Sequence, residues 1–100
     1  MMVPLSPLVS AVVGRHYAVS DQAVITDLLA EQCGHNLPLV RDAAHIERIR
    51  LAVLKLASGK PDAILDHIAV AQRDWRDVLV AAGFGNDLTA HLRWAADPTT

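Results

Sequence analysis

The sequence predicts an all-α protein, a small four-to-five-helix bundle built on a central antiparallel helical hairpin. Three observations carry that reading. Hydrophobic residues are 52% of the chain and aromatics only 4%, so the apolar mass is mostly 16 Ala, 13 Leu and 11 Val; Ala and Leu lose little on entering a helix. Between breaks at Pro4–Pro7, Gly34–Pro38, Gly59–Pro61 and Gly83–Asn86, the apolar spacing is helical throughout. The short turn Gly59-Lys60-Pro61 joins its flanking helices as an antiparallel pair. One hundred residues make a single domain, 1–100, with enough chain for one core.

In the first segment Ser6 N-caps and Pro7 takes the first helical position, where its missing N–H costs nothing. Leu8, Val9, Val12, Val13, His16 and Tyr17 follow one helix face; Gly14 and three valines leave a strand as the alternative over 7–17. Ser20 is the expected cap of the second helix, with Val19 and Val24 as a hydrophobic staple. Its buried face is Val24, Ile25, Leu28 and Leu29, and Gly34 stops it in a left-handed turn.

The third helix opens between Leu37 and Asp42 and ends at Gly59, with Leu39, Ala43, Ile46, Ile49, Val53 and Leu56 along one stripe. Leu51 and Leu54 fall beside that stripe, so LAVLKLA is apolar around most of its circumference, which predicts a helix central in the bundle or covered by a second subunit. The fourth helix, Pro61 to Ala82, spaces Ile64, Ile68, Ala71, Trp75, Val78 and Ala82 by fours and threes, a heptad-like seam. Gly83 and Phe84 close it as a Schellman motif, Phe84 folding onto Leu79. A short last helix starts at the Asn86 cap, carries Leu88, Leu92 and Ala95, and ends before Pro98. Residues 41–60 hold five cations against two carboxylates, net +3; residues 61–82 hold two against four, net −2, complementary flanks for one seam.

Two stretches of the C-terminal half, ERIRLAVLKLASGKPDAI and QRDWRDVLVAAGFGNDLTAHLRWA, resemble small bacterial helical proteins of unassigned function. The specific part is D-W-R-D-x-L-V-A-A-G-F, Asp74 to Phe84. The resemblance implies a compact helical protein and carries no activity.

A net charge of −2 argues against nucleic acid as a partner. A single cysteine, Cys33, allows no internal disulfide and fits a reducing compartment. No Lys or Arg precedes the first apolar stretch and Pro4 and Pro7 interrupt it, against a signal peptide. No apolar run approaches the roughly 20 residues of a membrane span. The expected location is the cytoplasm.

Asp42-x-x-His45 and Asp87-x-x-x-His91 each set a carboxylate beside an imidazole. A di-iron bundle needs two Glu-x-x-His pairs, and neither Glu31 nor Glu47 supplies one; Cys33-Gly34-His35 lacks the second pair of a zinc site. Neither metal nor cofactor is therefore expected. Neither a nucleophile elbow nor a phosphate loop is present, and Cys33 at a helix C-terminus has its thiolate opposed by the dipole. His16, on the apolar face, reads as a boundary histidine.

Arg41, His45, Arg48 and Lys55 form one ridge of the third helix, read as a solvated face and as a candidate contact for an acidic partner, phosphate or RNA. Trp75 is expected to anchor the seam with its N–H on a carbonyl or a side chain, and Arg73 to pair with Asp77. Trp75 and Arg76, with Leu51 and Leu54, are the candidate interface. These features suit a small cytoplasmic structural or interaction protein, a homodimer without a catalytic site. Two alternatives stand beside it. One is a metal- or ligand-binding enzyme in which three of His16, His35, His45, His67, His91 and nearby carboxylates converge; the other is a nucleic-acid-associated regulator using the basic ridge.

Overall fold

The computed structural model describes residues 3–97. They form five helices, α1 (Pro7–His16), α2 (Val19–Gln32), α3 (Ala43–Ala57), α4 (Pro61–Ala82) and α5 (Ala90–Ala96), and no strand among the described residues. Ser6 Oγ accepts from the Val9 amide at 3.2 Å, and this cap with Pro7 settles α1 as helix, burying Val9, Val12 and Val13. α2 starts one residue earlier than its expected cap: Ala18 precedes it, and Ser20 lies inside. Val19 and Val24 are exposed, so no staple forms, whereas Ile25 and Leu29 are buried. Gly34 does not adopt a left-handed turn. Its missing side chain is what the fold uses, since a Cβ there would stand 3.0 Å from Val3 Cγ2 and 3.3 Å from Arg50 Nη2.

Asp42 caps α3, its Oδ1 accepting from the His45 amide at 2.9 Å. Leu39 lies outside the helix, at φ 57° and 89% exposed, and so leaves the buried stripe. Ser58 (φ 52°) and Gly59 (φ 76°) make the left-handed turn into α4.

The principal departure is in α4. Its first part, 61–73, forms the expected hairpin with α3, and α3 with the whole of α4 makes the most extensive helix contact among the described residues. At Asp74 the backbone becomes extended (φ −160°, ψ 102°), and Asp74 Oδ1 accepts from the Arg76 amide at 3.1 Å, an N-cap for a second helical segment, 75–82. That segment runs back along α3. Trp75 stacks edge-on to His45, in the first turn of α3, at 4.2 Å, while Ala82 O accepts from Lys55 Nζ, in the last turn, at 2.7 Å. The seam is therefore broken between Ala71 and Trp75, and α3 is covered by two segments rather than one. Leu51 and Leu54, expected as surplus surface, are 0% exposed within the single chain and leave the candidate interface. The break also removes the Arg73–Asp77 register; Arg76 pairs with Asp74 instead, at 2.9 Å.

α4 closes as expected. Gly83 is left-handed (φ 82°), Phe84 N donates to Leu79 O at 2.8 Å, and Phe84 is 1% exposed. α5 begins later than Asn86. Asp87 takes the Thr89 amide (2.9 Å) and the Arg93 guanidinium (2.5 Å) ahead of it, so Leu88 falls outside the helix and is exposed, as is Leu92. His91 and Ala95 point inward instead. Pro98 lies outside the described residues.

Candidate functional site

The basic ridge is not a solvated face. Only Arg41 is exposed; His45 is 5% and Arg48 8% exposed. Arg48 Nη2 donates to Phe84 O and Lys55 Nζ to Ala82 O, so both cations close the C-terminal end of α4, where carbonyls lack helical partners. Lys55 also sits 5.0 Å over the Phe84 ring. Arg50, which sequence reasoning passed over, is 2% exposed and donates from Nε to Cys33 O (2.7 Å), from Nη1 to Pro4 O (3.0 Å) and from Nη2 to Val3 O (2.7 Å). It fastens the N-terminal segment to the end of α2.

Cavities open on the surface of the described residues. The first, about 420 Å³, lies between the start of α3 and α5 and is lined by Arg41, Asp42, Ala44, His45, Glu47, Arg48, Leu88, His91 and Leu92. Three of its residues carry a buried nitrogen without a hydrogen-bond partner, a feature that His16 Nε2 shares outside this cavity. His45 accepts the Arg41 amide at Nδ1 (3.2 Å), which places the proton of its neutral ring on Nε2, and Nε2 has no partner. Arg48 Nε and His91 Nδ1 are likewise buried without a partner. Burial, and then the positive charge of Arg41 and Arg48, pulls the His45 imidazole below its ordinary pKa, with Asp42 opposing. Burial and then Arg48 pulls down His91, against Glu47 and Asp87. Both rings are thus held neutral beside a guanidinium that has no carboxylate within salt-bridge distance among the described residues.

Of the ridge, Arg41, His45 and Arg48 meet here, and Lys55 does not. It lines a second cavity of about 530 Å³ with His16, Ser58, Gly59 and Trp94, where the His16 and Trp94 rings meet edge-on at 5.6 Å. The third, about 320 Å³, lies beside Pro38, Leu39, Arg73, Asp74, Trp75 and Arg76. Trp75 Nε1 donates to Pro38 O at 2.6 Å there, so of the two expected kinds of partner it takes a carbonyl. Among the described residues no three of His, Cys, Asp and Glu are arranged to hold a metal ion, although His45, His91, Asp42 and Glu47 line one cavity. Cys33 is buried, and burial, partly offset by Arg50, pushes its thiol up to about 12; burial rather than the helix dipole is the main cause.

The place of His91 was missed. Asp87-x-x-x-His91 drew notice as a pair on one helix, whereas Asp87 precedes α5 and binds Arg93, leaving His91 to face α3. No helix among the described residues is long and apolar enough to cross a membrane. No known family, curated protein or solved structure matches this chain.

Proposed function

We propose that this is a small cytoplasmic interaction protein that binds an acidic group in the cavity between α3 and α5. One observation carries the reading: His45, Arg48 and His91 are each more than nine-tenths buried, line one cavity, and each keep a nitrogen without a hydrogen-bond partner. Buried polar groups are nearly always paired in a finished fold, so three exceptions in one place suit a site completed by something from outside. Arg41 at the rim favours an anion. The nucleic-acid alternative weakens, because Arg48 and Lys55 are engaged with helix-end carbonyls and only Arg41 remains outward. The test is an amide-and-imidazole NMR titration with the peptide acetyl-Leu-Glu-Leu-amide. Shifts confined to Arg41, His45, Arg48 and His91 are expected; no shifts, or shifts spread over the surface, would refute the reading.

A second reading keeps the homodimer but moves its contact. Leu39 is held outward beside Trp75 and Arg76, and that exposed apolar side chain next to an aromatic favours self-association through this face. Light scattering on the native chain should then give a dimer and Leu39→Lys a monomer; a monomeric native chain at micromolar concentration ends the idea. The kinship of Asp74–Phe84 with small bacterial helical proteins is part of the same proposal.

A further inference from the structure

We infer that the occupant of the α3–α5 cavity is a small organic carboxylate, its acid end between Arg48, His45 and His91 and its apolar body against Leu88 and Leu92. This rests on the acidic-group reading above and names the ligand class. Arg50 serves as an internal comparison. Both arginines are buried and neither meets a carboxylate, but Arg50 directs Nε, Nη1 and Nη2 to three carbonyls, whereas Arg48 has one such bond and an idle Nε. A guanidinium out of water with a donor unused is costly unless an anion completes it. His45 adds a second N–H donor, fixed in that tautomer by the Arg41 amide. A carboxylate offers two acceptor oxygens to match.

The rest of the wall is mixed: Arg41, Asp42 and Glu47 are charged, and Ala44, Leu88 and Leu92 form its apolar side. Leu88 is 74% and Leu92 42% exposed, the only large aliphatic side chains lining the cavity. About 420 Å³ matches small-molecule sites rather than an extended protein contact. Both ends of an amphipathic acid therefore have counterparts, and neither inorganic phosphate nor a neutral hydrocarbon would meet both.

Binding also takes up protons. His45 faces Arg41, Asp42 and Arg48 from α3 and Trp75 from α4; His91 faces Glu47 and Arg48 from α3 and Asp87 ahead of α5. Burial is the main cause that keeps the rings neutral and the arginine charge adds to it; an anion among these groups offsets that added charge, so affinity rises as pH falls.

The experiment is an NMR and calorimetric titration of the whole chain with hexanoate, hexanamide, inorganic phosphate and acetyl-Leu-Glu-Leu-amide. Hexanoate should shift the His45 and His91 ring signals and bind about tenfold tighter than hexanamide or phosphate. It should tighten several-fold between about pH 7.5 and about 6, with proton uptake visible as a dependence on buffer ionisation heat. Leu88→Asp, at an exposed position that should leave the thermal midpoint unchanged, should weaken hexanoate by about tenfold. Equal binding of hexanoate and hexanamide, or pH-independent binding, overturns the inference. If the peptide shifts these residues and hexanoate does not, the small-acid assignment falls while the acidic-partner reading stands. If no acid shifts them, both fall.

Discussion

Replacing Arg50 with Met should remove a large share of the stability of this domain. Met keeps much of the buried aliphatic stem and deletes the donors, leaving Cys33 O, Pro4 O and Val3 O without their partner. A buried acceptor orphaned in this way costs about 1–3 kcal/mol. Cys33 O is fully enclosed and lies near the upper half of that range, about 2 kcal/mol; the two N-terminal carbonyls are partly buried, and water limits each to about 1 kcal/mol. Relief of the guanidinium's own desolvation returns about 1 kcal/mol, leaving a net loss of about 3 kcal/mol. Against the roughly 5–15 kcal/mol of an ordinary domain, that is a large change. With a urea slope of about 1.5 kcal/mol/M, the midpoint should fall by about 2 M. Arg50→Lys keeps a cation but not the fork, and should recover about 1 kcal/mol. Hydrogen exchange adds a local readout: the Val3 amide, bonded to Ala30 O at 3.0 Å, should lose protection in the Met variant before the α3 core does. A midpoint drop below about 0.5 M, or a Val3 amide as protected as before, would refute the assignment of Arg50 as the fastener.

Three further outcomes follow from the same structure. Asp74→Ala should lower the chemical denaturation midpoint because it deletes the cap of the 75–82 segment, and Asp77→Ala should lower it by well under half as much; equal losses would undo the cap. His45 and His91 are shifted below their ordinary pKa in the folded chain, so the unfolded chain takes up protons first. Stability should hold above about pH 6.5 and decline as pH falls below it, an effect that His91→Gln partly flattens; a flat profile between about pH 7 and 5 would count against it. Cys33, with its thiol raised to about 12, should resist a thiol-reactive dye at neutral pH until the chain unfolds. In alkali, stability should be intact below the ordinary thiol pKa and fall as pH rises from there toward 12, a loss absent in Cys33→Ala.

The parts of the fold legible in the sequence are those fixed by local backbone chemistry. Ser6-Pro7, Pro61 and Gly83-Phe84 mark helix ends through a cap, a ring and a left-handed turn, none of which depends on distant packing. The reversal at Asp74 escaped for a physical reason. Ala71, Trp75 and Val78 stand four and three apart, and two short helices burying the same stripe keep that period as well as one long helix does. The available signal was polar: Asp74 and Asp77 bracket Trp75 and Arg76 as cap and first-turn acid, an opening signature in the middle of a supposed helix. For the site, the spacing of Arg41, His45 and Arg48 was sufficient to join them. His91 was not reachable that way, since moving the start of α5 from Asn86 to Thr89 removes Leu88 from the helix and leaves His91 and Ala95, four apart, as its inward pair.

The misplacement of the charges has a single origin. Amphipathic reasoning sends every cation outward because a buried charge needs a partner, and the partner usually imagined is a carboxylate. Here the partners are the carbonyls at helix ends. Arg50 meets Cys33 O at the end of α2, Lys55 and Arg48 meet Ala82 O and Phe84 O at the end of α4, and Arg15 meets Ala95 O at the end of α5 at 2.6 Å. Each such end carries unpaired acceptors and about half a negative charge, so a cation there is hydrogen-bonded and electrostatically opposed at once. The net +3 of residues 41–60 is therefore largely internal to the fold, which is why it forms no surface for a polyanion. It also separates fold from site within one helix. Arg50 has all three of its guanidinium nitrogens bonded to backbone carbonyls and acts through stability, whereas Arg48 keeps Nε beside two neutral imidazoles. A change at residue 50 should thus move the denaturation midpoint, while a change on the Leu88 wall should move only ligand affinity. If both moved the same quantity, the division between structural and binding cations in α3 would be wrong.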